Sequence, residues 1–173
     1  KDAIEFWNKR KKILKNNNFL NIFNSYSFDE LNISFKKFVD RIQKKNSVFL
    51  MKIIKIFLPF NFFQPIVFHL IDIDEVIEAD ILNKSLTKTS KNPDISLHTN
   101  SLMFIFKNSF GFDTLTVNGC FEEKKKGAFL KFSKSFALEN LNNLGINFSL
   151  WLILNFRIYS YFFRSLSKVS KNL

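Results

Sequence analysis

Few side chains in this sequence are of the types that do chemistry on their own. His69 and His98 stand alone, with no second histidine or cysteine at a metal-ligand spacing, so no self-contained zinc site is indicated. Cys120 is the only cysteine, so it can form no disulfide within the chain, and no adjacent basic residue favours a reactive thiolate. No nucleophile-elbow, phosphate-loop or dinucleotide motif occurs. We therefore predict no catalytic residue.

A run of acidic residues is the remaining pattern that could bind a cation. It comprises Asp72, Asp74, Glu75, Glu78 and Asp80. Clustered carboxylates are the ligands of Ca²⁺ and Mg²⁺, but alternate strand or turn positions also explain this run. We expect no cofactor or metal in this chain.

The composition is dominated by four residue types with adenine- or thymine-rich codons. Phe, Lys, Asn and Ile account for 84 of the 173 residues. A nucleotide bias explains this without a functional cause, so an individual Phe or Lys is not by itself evidence of a binding site.

The positive charge lies at the two ends of the chain. The net charge is +11, of which residues 1–60 carry +8, residues 61–135 carry zero and residues 136–173 carry +3. Only four residues are arginine, the usual reader of phosphate and guanine, which argues against nucleic-acid binding. The basic ends leave a membrane-surface role open.

The first third of the chain predicts helices. Residues 1–16 form a candidate basic helix. Residues 27–45 are the clearest one, because Ser27 and Glu30 match a capping box and an apolar stripe follows at three- and four-residue steps. Residues 47–59 predict another helix, which ends at a proline and is too short to span a membrane.

The middle of the chain predicts a sheet with helices. A polar loop is predicted at residues 85–94 and a charged turn at "EEKKKG". Short helices are predicted at residues 99–108 and 137–145. Strands are predicted at residues 66–73, 78–83, 95–98, 114–117 and 127–136. The fold class is therefore α+β, with a mostly antiparallel sheet covered by helices. We divide the chain into a helical basic segment (1–60, which could be the tail of an upstream domain), an α+β domain (61–145) and a C-terminal amphipathic helix (146–173).

The C-terminal helix has three possible placements. Asn155, Arg157 and Arg164 contribute to a polar stripe at helical spacing. With this stripe we favour a helix that packs on the sheet, and next a helix that lies on a membrane surface. A helix that spans the membrane is the least favoured, because buried Asn and Arg are costly in lipid.

The stretch "FGFDTLTVNGCFEE" at residues 110–123 contains two of the four glycines. Gly111 and Gly119 bracket a predicted strand, since glycine permits the sharp turns at each end. We expect Asp113 to cap a turn, Cys120 to be packed, and the whole stretch to join a short helix to the sheet.

The order of elements from residue 66 to residue 136 resembles the sterol carrier protein type 2 family. The resemblance rests on residues 93–97, 101–107 and 114–119, and covers roughly residues 66–145. It implies a curved sheet covered by helices, with an apolar cavity between them. That cavity would lie near the short helix and the glycine-bounded segment, which places the following residues at the pocket: Leu102, Phe106, Phe110, Phe112 and Leu115.

The "FGFDTL-x-VNG-x-F" pattern also resembles the C-terminal region of metallo-β-lactamase-fold proteins related to the CMP-N-acetylneuraminate hydroxylase group. Those proteins hold a divalent metal upstream of this region. The resemblance implies a non-catalytic accessory or apolar-ligand-binding part of a larger metal-dependent hydrolase or hydroxylase-like protein, with its upstream domain as partner. The alternatives are a stand-alone lipid carrier or a peripheral membrane protein. We expect a cytoplasmic location, with membrane association as an option.

Overall fold

The computed structural model describes residues 25–57 and 62–149. The predicted helix at 1–16, the end of the helix predicted at 47–59 and most of the C-terminal helix therefore lie outside the described residues. In chain order the elements are α1 (Phe28–Lys45), α2 (Val48–Phe57), β1 (Ile66–Leu70), β2 (Glu75–Asp80), β3 (Ser85–Lys88), β4 (Ile95–Leu97), α3 (Thr99–Lys107), α4 (Gly111–Asn118), β5 (Glu122–Glu123), α5 (Ala128–Phe136) and α6 (Leu138–Asn143).

Helix α1 confirms the capping box and the apolar stripe. The Ser27 hydroxyl accepts from the backbone N–H of Glu30, and the Glu30 carboxylate accepts from the backbone N–H of Ser27 at 2.9 Å. The Ser27 hydroxyl also donates to the Glu30 carboxylate, at 2.8 Å. The backbone N–H and the hydroxyl of Ser27, in that order, hold the pKa of Glu30 below its ordinary value, because both stabilise the charged carboxylate. The stripe is buried, and Phe35 and Phe38 pack their rings against Phe106 of α3.

Helix α2 buries little of its apolar surface. Only Leu50 and Met51 are buried, whereas Phe49, Ile56 and Phe57 are 70%, 76% and 76% exposed. Isolated exposed apolar residues are common, but three on one ten-residue helix mark a surface that water solvates poorly.

The five-stranded sheet has the order β3-β2-β1-β4-β5 and is mixed. Strands β1 and β4 are parallel, whereas β1–β2, β2–β3 and β4–β5 are antiparallel. The prediction of a mostly antiparallel sheet was therefore wrong, although the α+β class holds. The parallel pair arises because the chain passes through β2 and β3 on one side of β1 before it returns as β4 on the other.

One face of the sheet carries the core. Ile66, Phe68 and Leu70 alternate along β1 and are fully buried. Phe68 pairs with Ile77 of β2 and Ile95 of β4, and its ring packs against α5. Because α1 and α3 contribute to the same apolar core, the described helices and the sheet fold around one interior.

Two predicted strands are helices. Residues 114–117 lie within α4, which buries Phe112 and Leu115 and ends at Gly119 with φ 61°. Within the second, residues 128–136 form α5 and Gly127 is its N-cap; the buried residues, Ala128, Phe132, Ser135 and Phe136, have a helical spacing. In both segments the β-branched and aromatic content favoured strand, but burial on one helical face outweighs that weak preference.

Two strands lie where none was predicted. Strand β3 lies inside the predicted polar loop, and β5 lies at the start of the predicted charged turn. Both are at the sheet edges, where exposed polar side chains leave little apolar alternation to recognise. By contrast, α3 and α6 confirm the helices predicted at 99–108 and 137–145.

Residues 146–149 are not helical, so no helix begins at residue 146. Phe148 is held instead by its carbonyl, which accepts from the N–H of Ser47 at 2.7 Å, and by its N–H, which donates to the Asn46 side chain at 2.7 Å. Its ring meets Phe63 edge to face. The chain therefore leaves the described region beside the start of α2.

Candidate ligand-binding site

Four of the five predicted pocket residues lie on α3 and α4 and face the apolar core. Leu102 and Phe106 of α3 and Phe112 and Leu115 of α4 are all buried and belong to one apolar core. Phe110 lies between the two helices and is 49% exposed, so it lies at the surface.

A close approach of backbones sets the angle between α3 and α4. A Cβ atom added at Gly111 would lie 2.7 Å from the Cα of Ile105 and 2.7 Å from the carbonyl oxygen of Phe104. Only glycine fits where two backbones come this close. This contact turns the chain sharply after α3 and directs Phe112 into the core.

Phe132 of α5 is the centre of the aromatic cluster next to these residues. Its ring is fully buried and meets Phe112 at 5.0 Å, Phe136 at 5.0 Å and Phe68 at 5.4 Å between centroids. Sequence reasoning missed Phe132 because it assigned this segment to a strand. The four-residue step from Phe132 to Phe136 was the signal of a helix face.

The cluster continues to the protein surface. Phe121 lies 6.1 Å from Phe132, and its other side stacks on Phe129 with centroids 5.5 Å apart and planes 9° apart. Phe129 is 38% exposed. Phe112, Phe132, Phe121 and Phe129 thus form a continuous series of ring contacts from the interior to solvent, which we call the aromatic path.

A polar site lies at the N-terminal end of α5, around the buried carboxylate of Asp94. This carboxylate accepts from Lys131 Nζ at 2.6 Å, Lys125 Nζ at 3.1 Å and the N–H of Val67 at 3.0 Å. Burial by itself raises the pKa of Asp94, but the hydrogen bonds from Lys131, Val67 and Lys125 outweigh burial and hold the pKa below its ordinary value. Asp94 is therefore charged, and it joins β1, the start of β4 and α5.

Two adjoining surface clefts of about 370 and 500 Å³ open above Asp94. They share Gln64, Asp94, Lys125 and Lys131, and neither is lined by any of the five predicted pocket residues. We call the polar side chains that line the two clefts the lysine cleft: Gln64, Glu78, Lys91, Asn92, Asp94, Lys125, Lys126 and Lys131. Nothing in the sequence signalled it, because its members are up to 67 residues apart and meet only through the fold.

The side chains first considered for chemistry have structural partners or lie in solvent. His69 Nε2 contacts Asp74 at 2.9 Å, and Asp72 accepts from the N–H of Thr99 at 2.9 Å, which caps α3. Cys120 is exposed, so the prediction that it is packed was wrong; it follows the left-handed end of α4 and reaches no apolar interior. Asp113 is exposed in the first turn of α4.

Within residues 25–57 and 62–149, no group of three or more His, Cys, Asp or Glu side chains could hold a metal ion. In the same residues no helix combines the length and apolar content needed to cross a bilayer.

The chain matches no protein-family model, no curated protein and no solved structure. The aromatic path and the lysine cleft meet at α5 and differ in character, since one is apolar and continuous with the core whereas the other is charged and open to water.

Proposed function

We propose that this chain is a non-catalytic module that binds a small apolar molecule between its helices and its sheet. The aromatic path is the observation that carries the proposal. It leads from partly exposed Phe129 to Phe112, which the sequence had already placed at the pocket. A ligand entering there would exchange water for aromatic and aliphatic surface, which is favourable by roughly 25 cal/mol per Å² of apolar area buried.

Binding in this way requires the rings to move. The interior is filled, since centroid distances of 5.0 to 5.4 Å join Phe132 to Phe68, Phe112 and Phe136, and close-packed interiors have few voids. Phe121 and Phe129 are the rings that can move at least cost, because they are only partly buried and lie between the core and solvent. The ligand would then replace the contact of Phe121 with Phe132 by its own.

The resemblance to sterol carrier proteins supports the same function. It implies an apolar cavity between a sheet and covering helices, and this chain has helices packed over one apolar face of its sheet. Aromatic side chains at such an interface provide a large apolar contact area for a ligand without specifying its chemical identity.

Titration with a fluorescent fatty acid tests the proposal. We expect saturable binding and, for Phe129→Ala, an association rate raised several-fold, because the outermost ring no longer has to move. Phe49→Ala is the matched control: it removes an exposed Phe of α2, remote in sequence from the path, and should leave the rate unchanged. Absence of saturable binding, or equal effects of the two substitutions, would contradict the proposal.

A second function is favoured by the exposed side chains of α2. Phe49, Ile56 and Phe57 could pack on another domain of the same protein, which would make this chain an accessory region. The metallo-β-lactamase-fold resemblance names that partner as an upstream metal-dependent domain, which would itself hold the divalent metal. Sequencing the upstream coding region decides the point, since a stretch without a metal-ligand motif refutes this identification.

A further inference from the structure

We propose that the lysine cleft is a binding site for a phosphomonoester group. The inference goes beyond apolar-ligand binding and rests on a different set of side chains, so the fatty-acid titration neither supports nor refutes it.

The charge of the cleft is not balanced from within. Four lysines, Lys91, Lys125, Lys126 and Lys131, line it, against the two carboxylates of Asp94 and Glu78. Lys91 pairs with Glu78, and Lys125 and Lys131 share the single carboxylate of Asp94. Two positive charges therefore remain, which matches the charge of a phosphomonoester near neutral pH.

Lys126 provides one of the two unbalanced positive charges. Its side chain is exposed, lines the cleft, and makes no hydrogen bond or ion pair with any residue that the structure describes. Its neighbour Lys125, in contrast, is fixed by the carbonyl oxygen of Asn92 at 2.6 Å in addition to Asp94. One ammonium is thus free to close on a ligand, whereas others are already held in place.

Asp94 preorganises the site. Its carboxylate is 6% exposed and orients Lys125 and Lys131 from below, so a ligand meets two ammonium groups whose positions are already restricted. Fixing the recognition groups in advance reduces the entropy lost when the ligand binds. The carboxylate also leaves both lysines with further N–H donors, because an ammonium group carries three.

The shape and the neutral donors of the cleft suit a small organic phosphate. The volumes of about 370 and 500 Å³ fall within the usual range for small-molecule sites. Gln64 and Asn92 add amide groups to the wall. The N-terminal end of the nine-residue helix α5, at Gly127 and Ala128, opens on the same cleft, and its partial positive charge adds to that of the lysines.

The test is calorimetric titration of the full chain with glycerol phosphate, a soluble phosphomonoester. We expect saturable binding that weakens as salt is raised, because the recognition is electrostatic. Lys126→Gln should weaken binding about fivefold to tenfold, since it removes one of the unbalanced charges. Lys36→Gln, at an exposed position of α1, is the matched control for the change in net charge and should alter binding less than about twofold.

Neither of these two variants alters an ion pair of the described residues, so a folding defect does not complicate the comparison. Absence of saturable binding both to glycerol phosphate and to vesicles that contain phosphatidic acid overturns the proposal. Equal weakening by Lys126→Gln and Lys36→Gln also overturns it, because that result would reflect net charge alone.

The phosphomonoester could belong to a free metabolite or to a lipid headgroup. A second experiment, vesicle sedimentation, distinguishes the two. Phosphatidylcholine vesicles with and without phosphatidic acid are sedimented with the wild-type and Lys126→Gln chains. Binding to phosphatidic acid vesicles that requires Lys126 supports the site with a lipid headgroup as its ligand. Binding to glycerol phosphate alone supports it with a soluble ligand. Vesicle binding that persists in Lys126→Gln, without any binding of glycerol phosphate, refutes it.

Discussion

Phe112 and Phe132 meet edge to face, with ring centroids 5.0 Å apart and planes inclined by 76°. The pair joins α4 to α5 over the sheet. Edge-to-face contacts place the positive ring edge of one residue on the negative face of the other, and they add about 0.5 to 1.5 kcal/mol to the burial of the two rings. The contact makes Phe132 a common support for both helices.

Phe132→Ala should lower the free energy of unfolding by about 3 to 5 kcal/mol, because it removes a fully buried ring and leaves a cavity. Urea denaturation measures the loss. Phe129→Ala, on the same helix but partly exposed, should cost less than about 1 kcal/mol. If Phe132→Ala is too unstable to fold, Phe132→Leu should still show a loss larger than that of Phe129→Ala. Equal losses at the two positions would show that Phe132 is not a central support.

The same pair shows what sequence could and could not predict. Phe112 was predicted to line a pocket, and its side chain is buried in the apolar core; whether a ligand reaches it stays a prediction. The strand predicted at residues 114–117 was wrong. Thr and Val at residues 114, 116 and 117 favour strand locally, whereas the helix follows from burial of Phe112 and Leu115 on one helical face. The capping box of α1 was predictable because it depends on residues three apart. The lysine cleft was not, because Asp94 meets Lys125 and Lys131 only once β4 and α5 are in place.

Gly111 and Gly119 should respond differently to alanine, because only one of them is sterically enclosed. A Cβ at Gly111 would meet the backbone of Phe104 and Ile105 at 2.7 Å, and backbone atoms cannot rotate away. We expect Gly111→Ala to cost about 2 to 3 kcal/mol through overpacking. At Gly119 nothing lies within 4 Å, so Gly119→Ala should cost only the roughly 1 kcal/mol of a left-handed φ of 61°. Thermal or urea unfolding compares the two, and a larger loss at Gly119 would contradict the close approach of α3 and α4.

Asp94 should make stability fall in acid. Its pKa in the folded protein lies below its unfolded value, so the ionised carboxylate contributes stability that is fully present above the unfolded pKa of about 3.9. That contribution is lost as pH falls through the folded pKa. Asp94→Asn should therefore cost about 2 kcal/mol at pH 7, since it breaks two ion pairs of partly exposed lysines.

Urea titrations of this variant and the wild type between pH 7 and pH 2.5 measure the difference. The gap between the two chains should narrow as the pH falls below about 4. Asp113→Asn, an exposed carboxylate of α4 with no ion pair among the described residues, is the control and should follow the wild type throughout. A gap that stays constant down to pH 2.5 would show that the charge of Asp94 does not contribute.

Arg41 connects three helices through one guanidinium group. Its Nε and Nη2 donate to the two carboxylate oxygens of buried Glu139 on α6, and Nη2 also donates to the carbonyl oxygen of Phe106 on α3 at 2.7 Å. Arg41→Ala leaves the Glu139 carboxylate buried without its partner, which we expect to lower the free energy of unfolding by about 2 to 3 kcal/mol, given that Arg41 is itself partly exposed. Arg41→Lys should recover only part of this, because an ammonium cannot reproduce the bidentate contact.

The double variant Arg41→Met with Glu139→Leu distinguishes two contributions to the free energy of unfolding: the stabilisation by the ion pair and the destabilisation by an unpaired buried charge. Replacing both partners by apolar side chains of similar size removes the buried carboxylate, so the double variant should be more stable than Arg41→Ala and close to the wild type. Urea unfolding of the wild type, Arg41→Ala, Arg41→Lys and the double variant measures the differences in the free energy of unfolding. A double variant that is as unstable as Arg41→Ala would instead show that the contact of Arg41 with Phe106 holds α1 to α3, and that Glu139 serves mainly to orient the guanidinium.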